Sequence, residues 1–120
     1  MGELTIKERR SKLNSEVTIL DLSGKVTIGD GSVSLRDKIR DLIGKGNTQI
    51  ILNFQNEEIT YTDSSGIGEC VTSFTAVNKE GGSLKLLNMS EFIKGFFTAT
   101  KLLTVFDCFD DEEEAVKSFS

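Results

Sequence analysis

Histidine is absent from all 120 residues, and this absence removes more chemistry than any residue present adds. Ser-His-Asp and Cys-His nucleophiles need an imidazole to accept a proton near neutral pH, and His-containing zinc and iron sites go with them. Ser-Lys systems survive on composition, yet no S-x-x-K motif accompanies the adjacent Ser64 and Ser65. Only two cysteines occur, Cys70 and Cys108, far apart and without a C-x-x-C, so neither a zinc site nor a redox motif is written here. Each stands among apolar neighbours and reads as a small buried hydrophobe. Proline is absent altogether, an absence that excludes no function. No run approaches the ~20 apolar residues that span a bilayer. The opening "MGELTIKERR" lacks the apolar core of a signal peptide, so a cytoplasmic protein with no membrane partner is expected. Positive charge is scarce as well: 14 Lys and Arg against 19 Asp and Glu leave a net charge of −5, which argues against nucleic acid. The short "KERRSK" cluster reads as the solvated end of a strand.

What is present fits one domain spanning residues 1–120, with 38% hydrophobic and 28% charged residues, enough for a core without metal or disulfide. "LTIKER" and "VTILDLSG" read as two strands joined by a hairpin turn at "KLNS". Leu35, Ile39, Leu42 and Ile43 mark one face of a helix that Asp30 or Ser32 can cap and Gly44 or Gly46 can end. "QIILNF" reads as a strand covered on both faces, and "QNEEITYT" as a loop holding a little extended structure. A second helical stripe comes next in Ile67, Cys70, Val71, Phe74 and Val77. "SLKLLN" is a strand, and "SEFIKGFFTATK" is a helix capped by Ser90 that buries Phe92, Ile93, Phe96 and Phe97. "LLTVF" suggests a further strand, and Asp110 with Glu113 resembles a capping box before a last helix. The expected fold is α/β, a mixed and mostly parallel sheet with about four helices.

On this map "TDSSGIGECVTSF" falls at a strand-to-helix junction, the edge where sites sit in open α/β sheets. Gly66 and Gly68 bare the backbone there, so a partner could approach the serines closely. The plainer reading makes one serine a helix cap. Phosphate-loop readings fail, since neither "GKVTIGDGS" nor "SSGIGE" fits G-x-x-x-x-G-K-[ST]. "DDEEE", Asp110 to Glu114, lacks the alternating ligands and glycine of a calcium loop. No metal or cofactor is expected, and Glu57, Glu58 and Asp63 read as solvated loop charges.

"QIILNF", "ITYTDSSGIGECV", "GGSLKLLN" and "LLTVFDCFDDEEEAVKSF", with "LSGKVTIGDGSVSLRDKI" ahead of them, resemble the STAS domain of bacterial anti-sigma factor antagonists. The resemblance runs over nearly the whole chain, and D-S-S-G is its specific part. It implies partner switching: the unmodified protein binds an anti-sigma factor that is also a serine kinase, and phosphorylation releases it. A phosphatase is the implied counterpart. The motif's first serine, the one modified in the family, is Ser64, with Asp63, Ser65 and Gly66 beside it. The family's acidic partner contact near the first helix has Thr27 and Asp30 as nearest candidates in "KVTIGDG", and the link "QNEEITYT" is slightly longer than is usual. The protein is then a binding module and not an enzyme. A scaffold or sensory STAS protein, a transporter-linked STAS domain and a serine hydrolase are the alternatives. The missing histidine disfavours the hydrolase, and the sequence leaves the oligomeric state open.

Overall fold

The computed structural model describes residues 4–26, 30–56, 59–62 and 64–119. The hairpin is present: β1 (Leu4–Arg10) lies antiparallel to β2 (Val17–Val26), with Leu4 opposite Gly24 and Arg10 opposite Thr18. Its turn is organised by Ser11, a buried residue whose Oγ accepts from the amides of Leu13 (3.1 Å) and Asn14 (3.4 Å). A hydroxyl used this way replaces the backbone partners that a turn leaves out.

Helices and strands then alternate: α1 (Asp30–Gly44), β3 (Gln49–Asn56), β4 (Ile59–Thr62), α2 (Ser64–Lys79), β5 (Ser83–Met89), α3 (Glu91–Ala99), β6 (Cys108–Phe109) and α4 (Glu112–Lys117). Among the described residues the strands form one sheet in the order β1-β2-β3-β5-β6, with β4 also on β2. Every pairing except the hairpin is parallel. The class is α/β with a mixed, mostly parallel sheet and four helices, as the alternation implied. α1 and α2 both end through left-handed glycines, Gly46 at φ 82° and Gly81 at φ 79°. The amides of Asn47 and Gly82 reach back to Leu42 and Val77, which closes each helix in a Schellman turn.

Two apolar layers result. One face of the sheet packs Leu20, Leu22, Ile50, Leu52 and Leu86 against α1, α2 and α3. The opposite face packs Val17, Ile19, Ile51 and Leu87 against Ala115 and Val116 of α4. β3 is thus covered on both sides, as its unbroken apolar run required. On the α4 face Lys85, 9% exposed, donates to the carbonyl of Ser118 (3.3 Å) and lies 4.8 Å from the ring centre of Phe119.

Five local expectations are corrected. "LLTVF" is no strand: Lys101 takes a left-handed φ of 62° and Leu102–Thr104 form a 3-10 turn. That turn seats Phe106 between Phe74 (4.8 Å) and Phe97 (5.6 Å), a burial that an extended run would forgo. The strand is Cys108–Phe109 instead, which leaves Cys108 exposed at the sheet edge. The last helix is capped one residue later than expected, by Asp111, whose carboxylate accepts from the Glu114 amide at 3.0 Å. Ser90 does cap α3 through the Ile93 amide, but Phe92 is 49% exposed on its outer face. Lastly, α1 already runs from Asp30, so Asp30 is its first residue and Ser32 lies inside its first turn, and neither precedes the helix as a cap does.

Candidate functional site

The serine pair sits where two parallel strands end together. β2 and β4 pair with Gly24 opposite Ile59, Lys25 opposite Tyr61 and Val26 opposite Thr62. Paired strands run ~4.8 Å apart, so the chain leaves both at one rim. α1 begins at Asp30 and α2 at Ser64, and α3 comes after β5 on the same side. The strand just ahead of the serines is β4, the extended structure within "QNEEITYT". Asn53 stands opposite Asp21, so an unbroken β3 would set Asn56 opposite Gly24. Ile59 is there instead, three residues further along. The long "QNEEITYT" link is this surplus, inserted between β3 and a strand that resumes pairing with β2.

Ser64 and Ser65 are the first two residues of α2, so neither is a residue preceding the helix, as the capping reading required. Gly66 is the third residue of α2 and is buried, so of the two glycines expected to bare the backbone only Gly68 is exposed. Asp30 opens α1 on the same rim. Thr27 and Asp63 lie outside the described residues, as do Glu57 and Glu58. The backbone thus brings Asp30, Ser64, Ser65 and Gly66 to one edge. A first helical turn carries the positive end of the dipole. α2 places no acidic residue in that turn. One turn further on, a Cβ added at Gly68 would meet nothing within 4 Å, so the surface beyond the serines is bare.

Glu69 is not the exposed charge that its place near the serines suggests: it is 8% exposed, between α2 and α1. Its Oε1 lies 4.0 Å from Arg36 Nη1. Its Oε2 and the Oγ of Ser73, one turn on, have no hydrogen-bond partner. Burial holds the carboxyl above the usual glutamate range, and Arg36 and then Arg40 draw it back in part. The signal available in sequence was spacing, since Glu69 adjoins Cys70 of the apolar stripe while Arg36 and Arg40 recur one turn apart on α1. Cys70 itself is buried, and desolvation pushes its thiol up to about 12, so it is unreactive.

Chemically, this edge sets two adjacent serines in the first turn of a helix, at its electropositive end, in a chain with no histidine to act as base. Residues 8–115 match the family model for the STAS domain. The chain belongs to the STAS domain family. This STAS domain is 33% identical over 107 residues to the anti-sigma-B factor antagonist of Bacillus subtilis (strain 168), covering 88% of this chain and 94% of that protein. Among solved structures it is similar to the Bacillus cell fate determinant SpoIIAA in its phosphorylated form, with a TM-score of 0.72 and 26% identity over 97% of this chain and 100% of that one. The unphosphorylated SpoIIAA matches with a TM-score of 0.69 at 26% identity, over 95% of this chain and 96% of that one. An anti-sigma factor antagonist from Mycobacterium paratuberculosis shares the fold, with a TM-score of 0.81 at 13% identity over 97% of this chain and 93% of that one.

Proposed function

We propose that this STAS domain is an anti-sigma factor antagonist that works by partner switching in the cytoplasm. Unmodified, it binds an anti-sigma factor that is also a serine kinase. Phosphorylated on Ser64, it lets go, and a phosphatase resets it. The kinase supplies ATP and magnesium, so the domain contributes a hydroxyl and a surface and catalyses nothing. The observation that carries this reading is the match to the Bacillus subtilis antagonist along 94% of that protein. The position of Ser64, Ser65 and Gly66 at the start of α2 supports Ser64 as the modified residue, with Asp63, Thr27 and Asp30 as further partner contacts.

Phosphorylation adds roughly −1.5 to −2 charges. At a helix start an anion gains about 0.3–1 kcal/mol, and Glu69, buried against Arg36, opposes it little. The fold should therefore tolerate the modification. A partner packed against the bare turn must instead desolvate a dianion where it was built for a hydroxyl, which costs about 2–5 kcal/mol, roughly 30- to 4,000-fold in affinity. The test is calorimetric titration of the captured kinase against each variant. Ser64→Ala should bind constitutively, Ser64→Asp and Ser64→Glu weakly, and Ser65→Ala should still accept phosphate. Wild-type affinity in Ser64→Asp, or phosphate mapped to Ser65, refutes the assignment.

A further inference from the structure

Two non-glycine residues hold left-handed backbones side by side at the strand ends, Gln55 at φ 54° and Asn88 at φ 57°. A long side chain such as Gln seldom adopts this region, so something must hold it there. The two mark one irregularity. Asn53 pairs with Leu87 and Asn56 with Met89, so β3 carries one residue more than β5 over this stretch. Such a bulge bends a strand and re-aims the residues beyond it.

The side chain of Asn53, 6% exposed, ties this irregularity together. Its Oδ1 accepts from the Gln55 amide (3.0 Å) and from Asn88 Nδ2 (3.1 Å). Its Nδ2 donates to Asp21 Oδ1 at 2.8 Å. Asp21 is gripped in turn by Arg9 Nε (2.7 Å) and Nη2 (3.1 Å). The same guanidinium reaches Glu112 of α4 through two bonds of 2.7 and 3.0 Å. Gln55 Nε2 returns to β2 through the carbonyl of Leu22 at 2.8 Å. A line of polar side chains thus crosses β1, β2, β3 and β5 and ends where β3 gives way to β4.

We infer that Asn53 is a positioning residue for the switch: it fixes the bulge, and through it the place where β4 rejoins β2 and α2 presents Ser64. This rests on the functional reading above. An apolar side chain at 53 would free the Gln55 amide and leave Asn88 without its tether. An aspartate there would face the carboxylate of Asp21.

The experiment compares Asn53→Leu, Asn53→Asp and the double variant Asp21→Asn/Asn53→Asp, in which amide and carboxylate exchange places. Hydrogen exchange by mass spectrometry is read for residues 59–70 and, as internal reference, for residues 17–20 and 50–52. Both single variants should speed exchange over 59–70 by at least about tenfold while the reference strands hold. Kinase affinity should fall by about tenfold, and the double variant should recover both readouts. Exchange that rises equally in the reference strands, or a double variant no better than Asn53→Asp, makes Asn53 a stability residue and overturns the inference. Ser64→Glu runs alongside: its effect on binding tests the functional reading by itself, so a failure there is told apart from a failure of Asn53.

Discussion

Replacing Glu69 by glutamine should stabilise the domain at neutral pH. The carboxylate is 8% exposed, one of its oxygens has no partner, and its nearest cation stands at 4.0 Å. Leaving a buried polar group unsatisfied costs about 1–3 kcal/mol. The Arg36 contact offsets less than about 1 kcal/mol, because the arginine side chain is 38% exposed and screened. The isosteric amide removes the charge and keeps the packing, so a net gain of about 1 kcal/mol is expected, or ~3–6 °C in a domain of this size. The sign with pH is defined by the direction of the shift. Burial raises the folded-state pKa above the unfolded one. The folded state therefore holds this proton more tightly, and the associated stability is complete below the ordinary glutamate value and lost as pH rises through the raised one. Thermal melts of parent and Glu69→Gln, followed by circular dichroism from pH 4 to 8, should converge at the acid end and separate upward. A variant that melts below the parent at pH 7.5, or a gap that does not change with pH, refutes the argument.

Two further substitutions test the frame around the site. Gly82→Ala should destabilise by about 1–3 kcal/mol or more in urea titration, because the new Cβ would run into the backbone carbonyl and Cβ of Thr48 where β3 and β5 begin to pair; an unchanged midpoint removes the clash. Asp111→Ala should cost about 1 kcal/mol through the lost cap of α4, seen as faster amide exchange at Ala115 and Val116 with α1 amides unaffected; equal protection in both helices rejects it.

Most of the fold was legible because its elements are written in period and punctuation. The stripe Leu35, Ile39, Leu42 could only be one helix face, Ser90 could cap α3 with its own hydroxyl, and the run Ile50 to Phe54 needed cover on both sides. The misreadings arose where a contact distant in sequence overrode a local pattern. Phe106 bends "LLTVF" out of a strand because Phe74 and Phe97 await it. β4 was blurred because its partner is β2, some thirty-five residues earlier in register. Glu69 adjoins the apolar stripe in sequence, but its place against α1 is hidden there because Arg36 lies 33 residues away. Asn53 passed unremarked inside "QIILNF", since its partners Asp21 and Asn88 lie 32 and 35 residues away. The serine pair was legible as a motif and as a helix start, since that information is local.

The Arg9–Glu112 bridge also joins the two ends of the chain in time of synthesis. Its two halves are 103 residues apart, so a ribosome completes β1, β2 and β3 long before α4 exists to cover Val17, Ile19 and Ile51. Until α4 is made, nothing in the chain can cover Val17, Ile19 and Ile51 on their face of the sheet as Ala115 and Val116 do. A transcript truncated ahead of Glu112 would leave that face open for good, a form suited to chaperones and proteases and not to any partner of the finished domain.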